Sequence, residues 1–430
     1  MEFLLITLFI GGYALIALEH RLHIDKAATA VLIGTLSWLI LLIMPTPFHG
    51  GTPHIENALF HHLTEAAGIL FFLLGAMTIV EVVDSYDGFQ YVLRILRVKS
   101  IGIFLALLIT LTFFLSAVID NLTTTLLMVS LLQKVTPPAQ RSVRLLGASL
   151  IVLAANSGGA WSPLGDVTTT MLWIKERITE LNIVKRTLLP SIASVIIPYF
   201  IIVRQLRNTS FCLEEAANSS SEAIPPRISL AVFLIGIGGI LSVPIMKIIF
   251  HIPPFLAMLF ALGLVWIVTE VFYRRLSSSV EEPVKLRITT ALERIDTPSL
   301  LFFLGILLAI GALSEIGVLR WVAYALDQSI GNMDVVVFLL GILSSVVDNV
   351  PLVAAAIEMY PLSQFPTDHH LWEFLAYTAG VGGNILIIGS AAGVVAMGME
   401  KIEFFWYLRR ISWIAFLGYA TGAIVYVLLA

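Results

Sequence analysis

The chain has 430 residues, 58% of them hydrophobic and 13% charged, with a mean hydropathy of +0.94. A soluble domain carries about 25% charged residues, so this composition excludes one and indicates an all-α polytopic membrane protein. The net charge of −4 matters less than its distribution over loops, and the single cysteine, Cys212, excludes an internal disulfide framework and a Cys-based metal cluster.

The start, Met1-Glu2-Phe3, is acidic where a signal peptide is basic, so it reads as a retained first span. No Ser- and Arg-rich segment precedes it, which argues against an organelle-targeted precursor. A helix needs about 20 apolar residues to cross a bilayer, and residues 3–19 and 28–45 qualify. A loop is expected next, with Pro45, Pro47, Gly50, Pro53 and four histidines, His49, His54, His61 and His62. Their spacing matches no metal-ligand pattern, so the loop reads as solvated. The third span covers 66–83, with Glu65 at its start.

Residues 101–133 form two apolar arms that meet at Asp120-Asn121. A broken span and a re-entrant hairpin both fit, and Lys and Arg distribution separates them, because these residues concentrate on the cytoplasmic side. Hairpins at 101–133 and 335–360 leave only Lys175, Arg177, Lys185, Arg186, Lys247 and Arg320 outside, fewer than full crossings would. Hairpins are therefore expected, with the basic cluster 175–186 unaccounted for. A broken span follows at 144–175, then a span at 188–203 and a polar linker, 204–227, with Pro225-Pro226.

The second half repeats the plan. Spans are expected at 228–249, 254–273 and 299–316, then the hairpin 335–360, a broken span 372–399 and a last span 411–429. Asp348-Asn349 stands 228 residues after Asp120-Asn121, and Ser344, Asn384, Gly393 and Glu293 stand at the same offset from Ser116, Asn156, Gly165 and Glu65. Each half, 1–203 and 228–430, has an odd number of spans. The second therefore enters the membrane upside down, as an inverted-topology repeat with two re-entrant hairpins and two unwound transmembrane helices, an architecture of secondary transporters.

A charged side chain at the bilayer centre costs about 2.5–3.5 kcal/mol on insertion scales, so Asp120 and Asp348 are candidates for function. The competing reading is that Asp120 and Asp348 merely cap the second arm, since Asp and Asn are both good N-caps; Asn121 and Asn349 suit that role too. The glycine-rich stretches Asn156-Ser157-Gly158-Gly159 and Gly382-Gly383-Asn384, with Pro163 beside the first, are expected to unwind their helices. Unwound backbone at membrane depth lines cavities or is buried in protein. Its carbonyls, with Asp, Asn and hydroxyl oxygens, suit a small alkali cation. Asp166, Thr168 and Thr169 follow the first break, whereas the 228 offset puts Val394 opposite Asp166, so the halves are chemically unequal.

These markers, Ser116…Asp120-Asn121-Leu122-Thr123, Asn156…Pro163-Leu164-Gly165-Asp166-Val167-Thr168-Thr169, Ser344…Asp348-Asn349 and Gly383-Asn384, resemble the NhaD-type sodium/proton antiporters of the ion transporter superfamily, over nearly the whole chain. The resemblance implies hairpin tips that meet unwound helices at a substrate site, and a homodimer with a scaffold part and a moving part. It implies transported sodium or lithium and protons, no enzyme activity, no cofactor and no nucleic-acid partner, in the lipid of a bacterial inner membrane. The ion would be held at Asp120, Asn121, Asn156 and Asp166, with Ser116, Thr123, Thr168, Thr169, Ser344, Asp348, Asn349 and Asn384 around them. Glu65 and Glu293 would provide a proton path. Burial favours the protonated carboxyl, so the same oxygens would take a proton or sodium in turn.

Three rival readings stand beside this one. Export of arsenite or transport of an organic anion fits the superfamily, although carboxylate transporters there carry Ser-Asn-Thr tips and not Asp. An intramembrane aspartyl protease needs Gly-x-Gly-Asp, and Pro163 replaces the first glycine. An ion channel fits the residue types alone.

Overall fold

The computed structural model of the chain describes residues 2–17, 25–44, 52–89, 98, 100–207, 224–276, 286–346 and 349–429. Every regular element among them is an α-helix. Eight of these helices are long and apolar enough to cross a bilayer, so the protein is a multi-span membrane protein. In chain order the first half holds α1 (Glu2–Ala17), α2 (Lys26–Ile43), α3 (Thr52–Ser85), α4 (Ile101–Ser116), α5 (Asn121–Val135), α6 (Arg141–Gly159), α7 (Val167–Ile174) and α8 (Glu180–Leu206). The second holds α9 (Pro226–Phe250), α10 (Pro254–Leu276), α11 (Ile288–Arg294), α12 (Thr297–Glu315), α13 (Val318–Ile330), α14 (Met333–Leu343), α15 (Asn349–Met359), α16 (His370–Gly382), α17 (Ala391–Glu400), α18 (Phe404–Arg410) and α19 (Ser412–Leu429).

The expected histidine loop is largely helix. His54, His61 and His62 lie on α3, which has 34 residues; His49 lies outside the described residues. At 1.5 Å per residue α3 is about 51 Å long, well beyond the ≈30 Å hydrocarbon core. Its first turns therefore carry polar residues without breaking, and Pro53 sits where a missing N–H is tolerated. Hydropathy finds only the membrane-embedded part of such a helix, which is why the span read as 66–83. Three short helices, α11, α13 and α18, were not expected either. The second of these meets α14 at 117°. Helix α8 starts at Glu180, not at 188, and passes through Pro190 and Pro198.

Helix packing exchanges between the halves. α2 lies along α12, and α10, which stands 228 residues after α2, lies along α3. α4 packs on α6 as α14 packs on α16, while α5 reaches α17 and α15 reaches α7. The α2–α12 contact brings backbones together: a Cβ on Gly34 would sit 2.4 Å from Gly305 O, and Trp38 Nε1 donates to Leu308 O at 2.9 Å. Close approach at small residues is how helices associate in lipid.

The glycines before the breaks act differently from the expectation. α6 stays helical through Asn156 to Gly159, and α16 through Gly382. A Cβ on Gly158 would lie 2.2 Å from Phe113 O, and one on Gly382 1.9 Å from Gly341 O. These glycines admit α4 and α14, and the chain unwinds only after them, at 160–166 and 383–390.

The contacts also reveal a one-turn shift. Ser116 Oγ donates to Ala155 O at 2.6 Å, and Ser344 Oγ to Ala379 O at 2.8 Å. Gly165 presses on Ser116 O, and Gly389 on Ser345 O. The tips keep the 228 offset, but the broken helices stand 224 apart. The four missing residues lie between the second tip and its break, where α15 has 11 residues against 15 in α5 and α16 has 13 against 19 in α6, with a longer connection between them. The structural counterpart of Gly165 is thus Gly389, not Gly393, and that of Asp166 is Ser390, not Val394.

Candidate functional site

Asp166 is the centre of the site. It stands at the N-cap position of α7 and is 2% exposed. Its Oδ1 accepts from Asn121 Nδ2 at 2.9 Å. Its Oδ2 accepts from Asn349 Nδ2 at 3.2 Å and from the Thr168 hydroxyl. The two tips, the starts of α5 and α15, therefore converge on one carboxylate from opposite halves of the sequence.

A chain of amides leads away from it. Asn121 Nδ2 also donates to Asn156 Oδ1 at 3.0 Å. Asn156 Nδ2 in turn donates to Asn384 Oδ1 at 2.9 Å and to Ser390 Oγ at 2.8 Å. Tyr407 OH donates to Asn384 O at 2.9 Å. All of these side chains are buried, and a buried polar network of this kind is rigid when its members are paired.

Asp120 behaves differently from its neighbour. Its Oδ1 accepts from Thr123 N at 2.8 Å and its Oδ2 from Thr123 Oγ1 at 2.7 Å, which makes Asp120 the N-cap of α5. The capping role weighed for Asp120 and for Asn121 thus belongs to Asp120, and Asn121 bonds to Asp166. Asp120 nevertheless lines the same cavity as Asn121, Asp166 and Asn349. Asp348 lies outside the described residues.

Of the other expected site residues, Thr169 bonds to the backbone, through Asp166 O at 2.8 Å. Ser116 and Ser344 hold the tips to α6 and α16. Glu65 sits well inside α3, paired with Lys175. Glu293, by contrast, is exposed on α11. The offset that matches these two glutamates does not give them matching surroundings. Ser390 is the site residue that sequence reasoning missed; the available signal was the glycine before it, Gly389, which parallels Gly165-Asp166. The basic cluster is engaged by protein: Lys175 pairs with Glu65, Arg177 lies over the Trp372 ring at 4.7 Å, and Arg186 donates to Leu429 O at 3.1 Å.

Two cavities approach the site from opposite ends. One is lined by Lys26, Ala76, Asp120, Asp166, Asp296 and Asn349. The other is lined by His62, Glu65, Lys175, Leu307, Ala354 and Glu358. Along α3, α7, α12 and α15 alike, the two sets occupy separate stretches. The starts of α7 and α15 border the first cavity, and their later turns border the second.

Comparison with known proteins shows the family. The sequence profile of the citrate transporter family matches residues 13–382. Sodium/proton antiporter 1 of Arabidopsis thaliana is 42% identical over 422 residues, 97% of this chain and 71% of its own length. Sodium/proton antiporter 2 of the same plant is 40% identical over 421 residues, 97% of each chain. The Na(+)/H(+) antiporter NhaD of Vibrio cholerae is 30% identical over 448 residues, 99% of this chain and 91% of its own. The antiporter matches extend over nearly the whole chain, and the chain belongs to the NhaD-type sodium/proton antiporters, within the wider family whose profile is named for citrate transport.

Proposed function

We propose that the protein exchanges sodium, or lithium, for protons across its membrane by alternating access, with Asp166 as the principal ion- and proton-binding group. The observation that carries this reading is the convergence of Asn121, Asn349 and Thr168 on one buried carboxylate. An Asn side chain has both a donor and an acceptor end. Asn121 and Asn349 can hold Asp166 through Nδ2 or, turned over, offer Oδ1 to a cation. Hard oxygens of this kind suit an alkali ion. Asp120, Asp348, Asn156, Asn384 and Thr169 complete the site, and Glu65 and Glu293 are the candidates for a separate proton path.

The architecture we propose is an inverted repeat, 1–203 and 228–430 about the linker 204–227. Re-entrant hairpins α4–α5 and α14–α15 meet broken helices α6–α7 and α16–α17. The exchanged helix packing supports it. In the proposed homodimer α2, α3, α10 and α12 belong to the scaffold, and the hairpins and broken helices move. In a Cys212→Ser background, a cysteine in place of Ala139 should label from the cytoplasm and one in place of Thr367 from outside. Labelling of both from outside defeats the hairpins. Membrane fractionation of the host tests the bacterial inner-membrane assignment.

The functional test is sodium-driven proton flux in proteoliposomes of the pure protein. Below the titration range of the site, each pH unit lost should weaken apparent sodium affinity about tenfold per competing proton, or about 1.4 kcal/mol. A sodium KM independent of pH, with exchange intact, rules out direct competition. The name of the matched profile raises a second reading, organic-anion transport. A buried Asp at the meeting point disfavours an anionic cargo, so the same vesicles should take up no citrate.

A further inference from the structure

The second cavity contains a constellation of which the proposed transport reading uses Glu65 alone, as a proton-path candidate. His62 and Glu65 of α3 and Glu358 of α15 each present one ligand atom, all within 4.8 Å of one another. We propose that this is a binding site for a divalent transition metal such as zinc, and that the metal staples α15 to α3. The inhibition described below rests on the transport reading; the binding does not.

Each ligand is held by an outer partner. His62 Nε2 lies 3.3 Å from Glu315 Oε1. A carboxylate only accepts, so in the neutral imidazole Nε2 carries the proton and Nδ1 is the nitrogen left to ligate. That Nδ1 faces Glu65 Oε2 at 3.9 Å. A ligating imidazole whose other nitrogen donates to a carboxylate is the usual second shell of a metal site. Glu358 Oε2 accepts from Ser314 Oγ at 2.8 Å, and Glu65 is fixed by Lys175. The imidazole is also given room: a Cβ on Gly311 would lie 2.7 Å from His62 Cγ. Its side chain is 10% exposed, so the ring is committed to this cavity and not to water.

One nitrogen and two carboxylate oxygens suit zinc and its first-row neighbours better than sodium or magnesium. Tetrahedral zinc wants its ligand atoms about 3.3 Å apart, so binding must draw α15 toward α3. α15 begins at Asn349, which bonds to Asp166. A metal at Glu358 therefore restrains the helix whose other end grips the ion site. The Lys175 ammonium beside Glu65 opposes a dication and should weaken binding.

The test uses full-length protein purified on a tag without histidine. Zinc chloride titrated by calorimetry should bind once per protomer, and cobalt chloride should give visible absorption with an imidazole ligand. His62→Gln and Glu358→Gln should each weaken zinc at least tenfold, and Lys175→Met should tighten it severalfold. Equal zinc binding by parent, His62→Gln and Glu358→Gln, or none by the parent, overturns the site. In proteoliposomes, zinc on the side of the second cavity should slow exchange in the parent and not in His62→Gln. Unchanged exchange with zinc bound overturns the staple while leaving the antiport reading intact. A parent without exchange before zinc is added tells against the antiport reading alone.

Discussion

The two helix breaks meet at one site but are not equivalent. The first ends in Gly165-Asp166, the second in Gly389-Ser390, and both place their second residue at the start of a short helix. Only the first carries a charge. The second supplies a hydroxyl that accepts from Asn156 and from Gly393 N. At the 224 offset Asn384 matches Ala160 and not Asn156, so Asn384 lies within its break while Asn156 remains helical. The lesson is that two segments of similar backbone can differ in chemistry, one bringing a carboxylate and the other a hydroxyl to the same polar network. Two carboxylates joined by one buried hydrogen-bond network would repel in a low-dielectric interior; a hydroxyl keeps the hydrogen bonds without that cost.

The strongest way to break this comparison is to remove or move the charge. Loss of one partner from a buried ion pair costs about 3–5 kcal/mol, which is at least about a hundredfold in affinity. Asp166→Asn should therefore leave no measurable sodium-driven proton flux with protein still in the membrane. The swap Asp166→Ser with Ser390→Asp should fail as well, because Asn349 and Thr168 surround position 166. Exchange restored by the swap would make the halves interchangeable and end the argument.

The tips come next. Asn121 bonds both Asp166 and Asn156, whereas Asn349 makes one longer bond to Asp166. A hydrogen bond to a charged group contributes about 1.5–3 kcal/mol, so Asn121→Ala should raise sodium KM about tenfold to a hundredfold. Asn349→Ala should raise it less. The opposite ranking would place the ion nearer the second tip.

The packing glycines test the shared backbone. Overpacking costs about 1–3 kcal/mol, and both Gly158→Ala and Gly382→Ala should lower the thermal unfolding temperature of the purified protein. Gly382→Ala should lower it more, since its Cβ would meet Gly341 O at 1.9 Å against 2.2 Å for Gly158 and Phe113 O. The smallest effect is expected from Tyr407→Phe. It removes one neutral hydrogen bond to Asn384 O, about 1 kcal/mol, and should change KM by no more than about fivefold. A Tyr407→Phe protein as inactive as Asp166→Asn would show that the second break does more than support.

The sequence by itself determined the membrane-spanning character, the positions of both tips and the polar stretches that meet them. Those features are local: an Asp-Asn pair or an asparagine in an apolar run announces itself without knowledge of its neighbours. Which of two adjacent polar residues faces the site was decided by tertiary structure alone. Asp120 and Asn121 are consecutive, yet one caps its helix and the other reaches Asp166, because successive side chains leave a helix start in different directions and packing chooses between them. The true partner of Asp166 was equally hidden. The matched spacing of Asn156 and Asn384 favoured an offset of 228, while a turn missing between the second tip and its break moved the contacts to 224. A deletion of one helical turn leaves the hydrophobic face in place, so hydropathy does not register it; only the carbonyls that Gly165 and Gly389 press against reveal which residues occupy the same place.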